Sequence, residues 1–149
     1  MNRFVFKLEP LLEYKNRVKE IAGRDLSDSQ RTFDEAQARL SRLCFEYERI
    51  GVECERLRSD GADMAAVSLC YDYLNGLKHS IESETEITKA AEADLEKKRD
   101  TLLETKKETM SVESLKERKR AEYGALVSRA EQKASDEVAS AVSRKGGRL

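Results

Sequence analysis

Apolar positions recur along this chain at alternating intervals of three and four residues. The longest run is Leu74, Leu77, Ile81, Glu84, Thr88, Ala91, Leu95, Lys98, Leu102, Thr105, Thr109, Val112, Lys116, Lys119, Tyr123, Leu126 and Ala130, of which ten of seventeen are apolar. A repeat near 3.5 residues keeps one stripe of a helix turned toward a partner helix. A helix of about 57 residues at roughly 1.5 Å per residue would reach about 85 Å, and it cannot cover its own stripe. A second run, Leu26, Ser29, Phe33, Ala36, Leu40, Leu43, Tyr47, Ile50, Cys54 and Leu57, supplies a matching seam. Ahead of it the stripe reads Leu11, Tyr14, Val18, Ala22, Leu26. Its successive steps of four predict a stutter, a place where a supercoil unwinds locally. Gly23 lies inside that stutter and weakens the helix by about 1 kcal/mol relative to alanine.

These runs predict one all-α domain made of two long helices, an antiparallel coiled-coil hairpin whose second helix overhangs at the C-terminus. Residues 1–9 form an entry, 10–58 helix one, 59–63 a turn, 64–145 helix two and 146–149 a frayed tail. In the entry Phe4, Phe6 and Leu8 alternate with Val5 and Lys7, which predicts extended backbone. Pro10 suits a first helical turn, where its missing N–H is no loss, and Glu9 and Glu13 complement the positive end of the dipole. In the break Ser59-Asp60-Gly61-Ala62-Asp63, Gly61 can take a left-handed helix end and Asp63 can cap a new start. Two registers are open. Pairing Leu57 with Leu74 sets Leu11 level with Arg120 and leaves Met64 to Tyr73 beyond the seam, at the tip. A tighter turn centred on Gly61 sets Leu11 level with Ser111. In both, residues after about Glu122 project as a single helix. Thr109 to Ser114, rich in small polar residues, is a candidate bend.

Composition sharpens this picture. Charged residues are 38% of the chain and aromatics 6%, with one proline and no tryptophan. That suits a coiled coil, where two apolar positions in seven suffice, better than a compact core. A net charge of only -1 and the sustained repeat argue against disorder. The charge is uneven. Residues 116–149 carry nine Lys or Arg against five Asp or Glu, and residues 62–115 seven against twelve. A basic end can meet an acidic partner surface, although a solvated helical face has the same composition. The three cysteines, Cys44, Cys54 and Cys70, are odd in number. No secretory leader precedes them, since Lys7 interrupts the short apolar run at Val5 and Phe6. We therefore read three free thiols in the cytosol.

Catalytic chemistry has little to work with. There is no Gly-rich phosphate loop and one histidine, His79, so the commonest general base is nearly absent. The cysteines and His79 have no metal-ligand spacing. Carboxylates are plentiful, but a solvated helix offers no cleft to shift them. The basic run Lys116, Arg118, Lys119, Arg120 is short and interrupted by Glu117, which disfavours nucleic acid. No apolar stretch reaches the length of a membrane span. Contact with other proteins, without catalysis, cofactor, metal, small-molecule substrate or nucleic acid, is the expected role. Tyr71 and Tyr73 lie off the main stripe, where aromatics close a core end or form a docking patch.

Three stretches together resemble the flagellar FliJ family. The first is the C-terminal run Leu115-Lys116-Glu117-Arg118-Lys119-Arg120-Ala121-Glu122-Tyr123, followed by Glu131-Gln132-Lys133 and Asp136-Glu137-Val138-Ala139. The second is the opening, Phe4-Val5-Phe6-Lys7-Leu8-Glu9-Pro10-Leu11-Leu12, and the third is Gly61, Leu69, Tyr71, Tyr73-Leu74, Leu77 and Ile81. The family often has Phe where Tyr73 stands. The resemblance implies a component of the flagellar type III export apparatus, cytoplasmic and peripheral to the inner membrane at the flagellar base. It also implies likeness to the coiled-coil stalk of the F-type ATPase gamma subunit. The implied partners are the hexameric export ATPase (FliI) with its regulator (FliH), the cytoplasmic domain of the export gate protein (FlhA), and export chaperones. On this basis Phe4, Phe6, Leu12, Leu115, Arg118, Arg120, Tyr123, Glu131, Asp136 and Glu137 are candidates for the ATPase end. Leu40, Leu43, Tyr47, Tyr71, Tyr73 and Leu77 are candidates for the gate, although Leu40, Leu43, Tyr47 and Leu77 also belong to the seam. An injectisome stalk homologue, a V-type central stalk and a plain structural tether stay open as alternatives. The F-type gamma subunit carries an α/β domain for which the short break leaves no room.

Overall fold

The computed structural model describes residues 3–147. They form two helices, α1 (Glu9–Ser59, 51 residues) and α2 (Met64–Gly146, 83 residues), with no strand among the described residues. The expected fraying of Arg148 and Leu149 lies outside the described residues. The chain divides into two compact units, Glu20–Leu103 and Met1–Lys19 with Glu104–Leu149.

The Glu20–Leu103 unit contains the turn. Helix α1 ends on paired backbone bonds, Ala62 N–H to Leu57 C=O (3.0 Å) and Gly61 N–H to Arg58 C=O (3.4 Å). This crossed pair is the Schellman ending, and it needs a residue in the left-handed region. Gly61 provides it at φ +70°. Asp63 then caps α2: its carboxylate accepts from Ala65 N–H at 3.4 Å, and its carbonyl accepts the first helical bond, from Val67. The two helices run antiparallel across this turn. Cys54 is bonded to Cys70, Arg39 pairs with Glu84 and Ser29 with Asp94, and each pair of residue numbers totals 123 or 124. The tighter register is therefore the one adopted, and the pairing of Leu57 with Leu74 is overturned.

Two expectations for this unit are corrected by that register. Met64 to Tyr73 does not lie beyond the seam, because Val67 is buried and Cys70 faces Cys54. The seam of α2 thus starts at Val67, not at Leu74. The second correction concerns the thiols: Cys54 and Cys70 are joined, with Cα atoms 5.7 Å apart, and only Cys44 is free and exposed. Spacing along one helix does not reveal a bridge between two. It follows from a register that places two seam cysteines opposite each other, at a separation a disulfide spans.

Helix α1 also departs from the stutter. Leu11 and Tyr14 are 40% and 55% exposed, whereas Leu12 is 6% exposed. The inward positions are Leu12, Lys15, Lys19, Ala22, Leu26, Ser29 and onward to Leu57, an unbroken alternation of three and four. Two lysines occupy seam positions that an apolar count skips. A lysine can line such a seam with its methylene stem while its ammonium reaches the edge. Lys15 does this, with Nζ 2.7 Å from Glu108.

In the Met1–Lys19 and Glu104–Leu149 unit the pairing Lys15–Glu108 also totals 123. Thr105 and Thr109 fill the seam as polar residues, 8% and 1% exposed. The Thr109 hydroxyl donates to the Thr105 carbonyl at 2.8 Å, so its burial leaves no unmet polar group. The candidate bend at Thr109 to Ser114 is uninterrupted helix. Beyond Lys116 the seam departs from its sequence frame. Tyr123 and Val127 are half-buried, while Leu126 (63% exposed) and Ala130 lie outward. From Ser128 to Gly147 every residue is exposed, in keeping with a helix that has left its partner.

Candidate functional site

The Met1–Lys19 and Glu104–Leu149 unit contains all ten candidate ATPase-end residues. Residues 3–6 run without regular structure along α2, followed by a turn at Lys7 and Leu8. No strand forms, but the alternation survives at its start. Phe6 is buried and Phe4 half-buried, while Val5 is 76% exposed. Leu8 departs from it by facing solvent. The backbone turns into α1 through Glu9 N–H to Phe6 C=O (3.1 Å) and Leu12 N–H to Leu8 C=O (2.9 Å). Pro10 sits within the first turn, where the absent N–H has no helical acceptor to lose.

Phe4 fixes the entry to α2. Its ring lies 5.6 Å from that of Tyr123 at an interplanar angle of 45°, and the Arg120 guanidinium stands 5.8 Å from its centroid. Such tilted aromatic pairs and cation–ring contacts each add about 0.5–1 kcal/mol at partly exposed sites. Lys116 Nζ, at a seam position, pairs with Glu9 at 2.8 Å. Leu12 is buried below these contacts and Leu115 is half-buried beside them. Phe4, Phe6, Leu12, Leu115, Arg120 and Tyr123 therefore belong to one neighbourhood. Arg118 is exposed nearby in sequence, and Glu131, Asp136 and Glu137 are exposed on the unpaired part of α2.

The entry and α2 enclose a groove of about 630 Å³, lined by Phe4 to Leu8 with Leu115, Lys119 and Tyr123. A second hollow of about 620 Å³ follows α2 past Val127 and Ala130 to Ala134, with Arg3 and Phe4 on its other side. The floor is apolar. Arg3 and Lys7 bring cationic groups to the edges, where Lys116, Lys119 and Arg120 are paired with Glu9, Glu122 and Glu117. Val5, Leu8, Leu11 and Tyr14 are exposed on this unit, and sequence reading did not single them out as partner residues. Leu11 and Tyr14, three residues apart, lie on a second face of α1, although the apolar count places them in the seam.

The six gate candidates lie in the Glu20–Leu103 unit and differ in accessibility. Leu77 is buried and Leu40, Leu43 and Tyr47 are half-buried along the seam, as is Tyr71 beside it. Tyr73 is 51% exposed, with its hydroxyl 3.5 Å from a Glu46 carboxylate oxygen. Glu46 is held by Arg49 through two bonds, of 2.6 and 3.0 Å. That pairing, ahead of the smaller effect of Tyr73, lowers the Glu46 carboxyl below its ordinary range and raises Arg49. Arg56 does the same for Glu53. Phe45 and Val52, both about 70% exposed, flank these charges on α1 and frame a shallow hollow of about 440 Å³.

Among the described residues no group of three or more His, Cys, Asp or Glu is placed to hold a metal ion. Nor is any helix long and apolar enough to cross a membrane. The fold defines an antiparallel two-helix coiled coil. The chain belongs to the FliJ family: the family model described as flagellar FliJ protein matches residues 4–148. It is thereby a component of type III protein export. A solved structure from Chlamydia trachomatis, described as that of a YscO homolog, is similar in fold. Its TM-score is 0.62 at 20% identity, and the match covers 95% of this chain and 96% of that one. Among curated proteins none matches the chain.

Proposed function

We propose that this protein is a stalk-like, non-catalytic adaptor of flagellar protein export that docks its terminal end on the hexameric export ATPase. The observation that carries the reading is the groove between Phe4–Leu8 and Leu115–Tyr123, with its apolar floor and cationic edges. Apolar surface of this kind is normally covered by a partner, and the edge charges suit an acidic rim. The exposed helix beyond Val127, which carries Glu131, Asp136 and Glu137, extends the same contact. The regulator of the ATPase and the export chaperones are further partners in this reading. The protein works in the cytoplasm, at the inner-membrane base of the flagellum.

The second contact is with the export gate through the Glu20–Leu103 unit. Tyr73, helped by Tyr71, is its anchor, because Tyr73 is the most accessible of the six candidates, whereas Leu77 is committed to the seam. Likeness to a YscO homolog supports one alternative, an injectisome stalk homologue. The identity of the neighbouring genes separates the two systems.

The test mixes the full-length protein with its cognate export ATPase and follows ATP hydrolysis and ring assembly. Stimulation is expected. It should fall by at least tenfold in affinity in a Val5→Asp/Leu8→Asp variant, since each change puts a charge where apolar contact is needed, and both side chains are exposed in the free protein. Deleting 115–149 should abolish it. No binding by well-folded protein would reject the stalk reading and leave a structural tether. Unchanged gate binding in a Tyr71→Ala/Tyr73→Ala variant of normal helicity would reject the second contact.

A further inference from the structure

We propose that Cys54 and Cys70 are a reversible redox staple that locks the turn end of the hairpin. Both stand at seam positions of facing helices, and their Cα atoms are 5.7 Å apart. That separation does not depend on the bridge. Arg39–Glu84 and Ser29–Asp94 set the same register elsewhere in this unit, so the reduced thiols remain opposite each other. The reaction is therefore intramolecular and needs no rearrangement of the helices.

The two sulfurs differ in access, which sets the order of events. Cys54 is fully buried, whereas Cys70 is half-buried at the seam edge. With a small-molecule disulfide such as glutathione disulfide as oxidant, the Cys70 thiolate attacks one glutathione sulfur. The glutathione S–S bond breaks and the first glutathione leaves as thiolate. The Cys54 thiolate then attacks the Cys70 sulfur and expels the second glutathione. The two thiol protons pass to the two leaving thiolates. The protein is oxidised by two electrons, and one glutathione disulfide is reduced to two glutathione molecules. Reduction retraces the same path, with attack from solvent at Cys70.

The bridge closes a loop with a sequence separation of 16 residues around the Gly61 turn. It spans about the last two turns of α1 and the first two of α2, including Leu57 and Val67. A cross-link of this length acts mainly on the open state of the enclosed segment, whose freedom it removes. Closing the bridge should therefore slow local opening of residues 55–69 by on the order of a hundredfold. Residues outside the loop should exchange at nearly the same rate in both redox states. This inference is independent of the partner assignments above.

The test uses the full chain carrying Cys44→Ser, which removes the one exposed thiol. The protein is equilibrated in glutathione buffers of graded ratio, its thiols are trapped with a maleimide, and the adducts are counted by mass. Amide hydrogen exchange is followed in the same samples. Expected is one two-electron transition, independent of protein concentration, with slower exchange confined to residues 55–69 in the oxidised form. Two free thiols at every ratio would overturn the proposal. So would bridges that form between molecules in proportion to concentration, or a closed bridge that leaves exchange unchanged. Cys70→Ser should show the reduced exchange rate in both buffers, and slowing in that variant under oxidation would also overturn it.

Discussion

Gly61 is the residue on which the chain reversal depends. Nothing lies within 4 Å of a Cβ built there, so a side chain meets no steric neighbour. The cost of replacing it comes from its φ of +70° alone, which an L-residue adopts at about 1 kcal/mol. Gly61→Ala is expected to lower stability to denaturant by about 1 kcal/mol with little change in helix content. A loss below about 0.3 kcal/mol would show that the turn relaxes into another form.

The carboxylates of Glu46 and Glu53 set a pH dependence at the same scale. Their arginine partners hold both below the ordinary carboxylate range when folded. Groups depressed in this way contribute stability above their unfolded pKa and lose it as pH falls through the folded value. Thermal melts should therefore drop in acid, below about pH 4.3. Both pairs are solvent-accessible, so the effect is small and screened by salt. Glu46→Gln with Glu53→Gln should flatten that part of the profile, and an unchanged acid slope would assign it to other carboxylates.

At the scale of the element, the sequence frame and the packed frame can be compared position by position. From Leu26 to Leu57 and from Leu74 to Lys116 the predicted stripes are the inward ones. They were legible because the alternation of three and four runs unbroken there, while off-stripe apolar residues such as Phe45, Val52, Ile87 and Leu103 do not repeat at that spacing. The errors lie at the two ends of the pattern. At Leu11 and Tyr14 the most apolar choice was not the buried one, since Lys15 and Lys19 complete the continuous repeat. At Leu126 the repeat continues in sequence after the partner helix has ended, so periodicity survives without burial.

This contrast is testable. Leu95 is 2% exposed and Leu126 63%. Leu95→Ala should cost about 2–4 kcal/mol, through lost transfer energy and the cavity left behind. Leu126→Ala, which occupies an equivalent place in the sequence pattern, should change stability by less than about 0.5 kcal/mol. Similar losses at both sites would mean that the C-terminal part of α2 is covered in solution.

At the scale of the molecule, the docking reading rests on what the hairpin leaves uncovered. The entry segment turns Phe4 and Phe6 inward and leaves Val5 and Leu8 facing out, and α2 supplies Leu115 and the basic residues around it. Because those edges are cationic, ATPase binding should weaken as ionic strength rises, over the range where the screening length shortens from about 30 Å to 8 Å. The candidate residues at this end were legible through family resemblance, and Phe4 and Tyr123 prove to be in contact. Their apolar neighbours Val5, Leu8 and Leu11 were not, since exposure depends on what the partner helix fails to cover.

By itself the sequence determined the two helices, their break at Gly61 and Asp63, their antiparallel return and the family. These follow from periodicity, a left-handed residue, a cap and a specific order of motifs, all of them local or nearly local properties. Tertiary structure decided the register, the Cys54–Cys70 bridge, the burial of Leu12 in place of Leu11 and the groove at the entry. Each of those depends on which residues of one helix stand opposite which of the other. The three-four repeat fits either register, and only the packed pair selects between them.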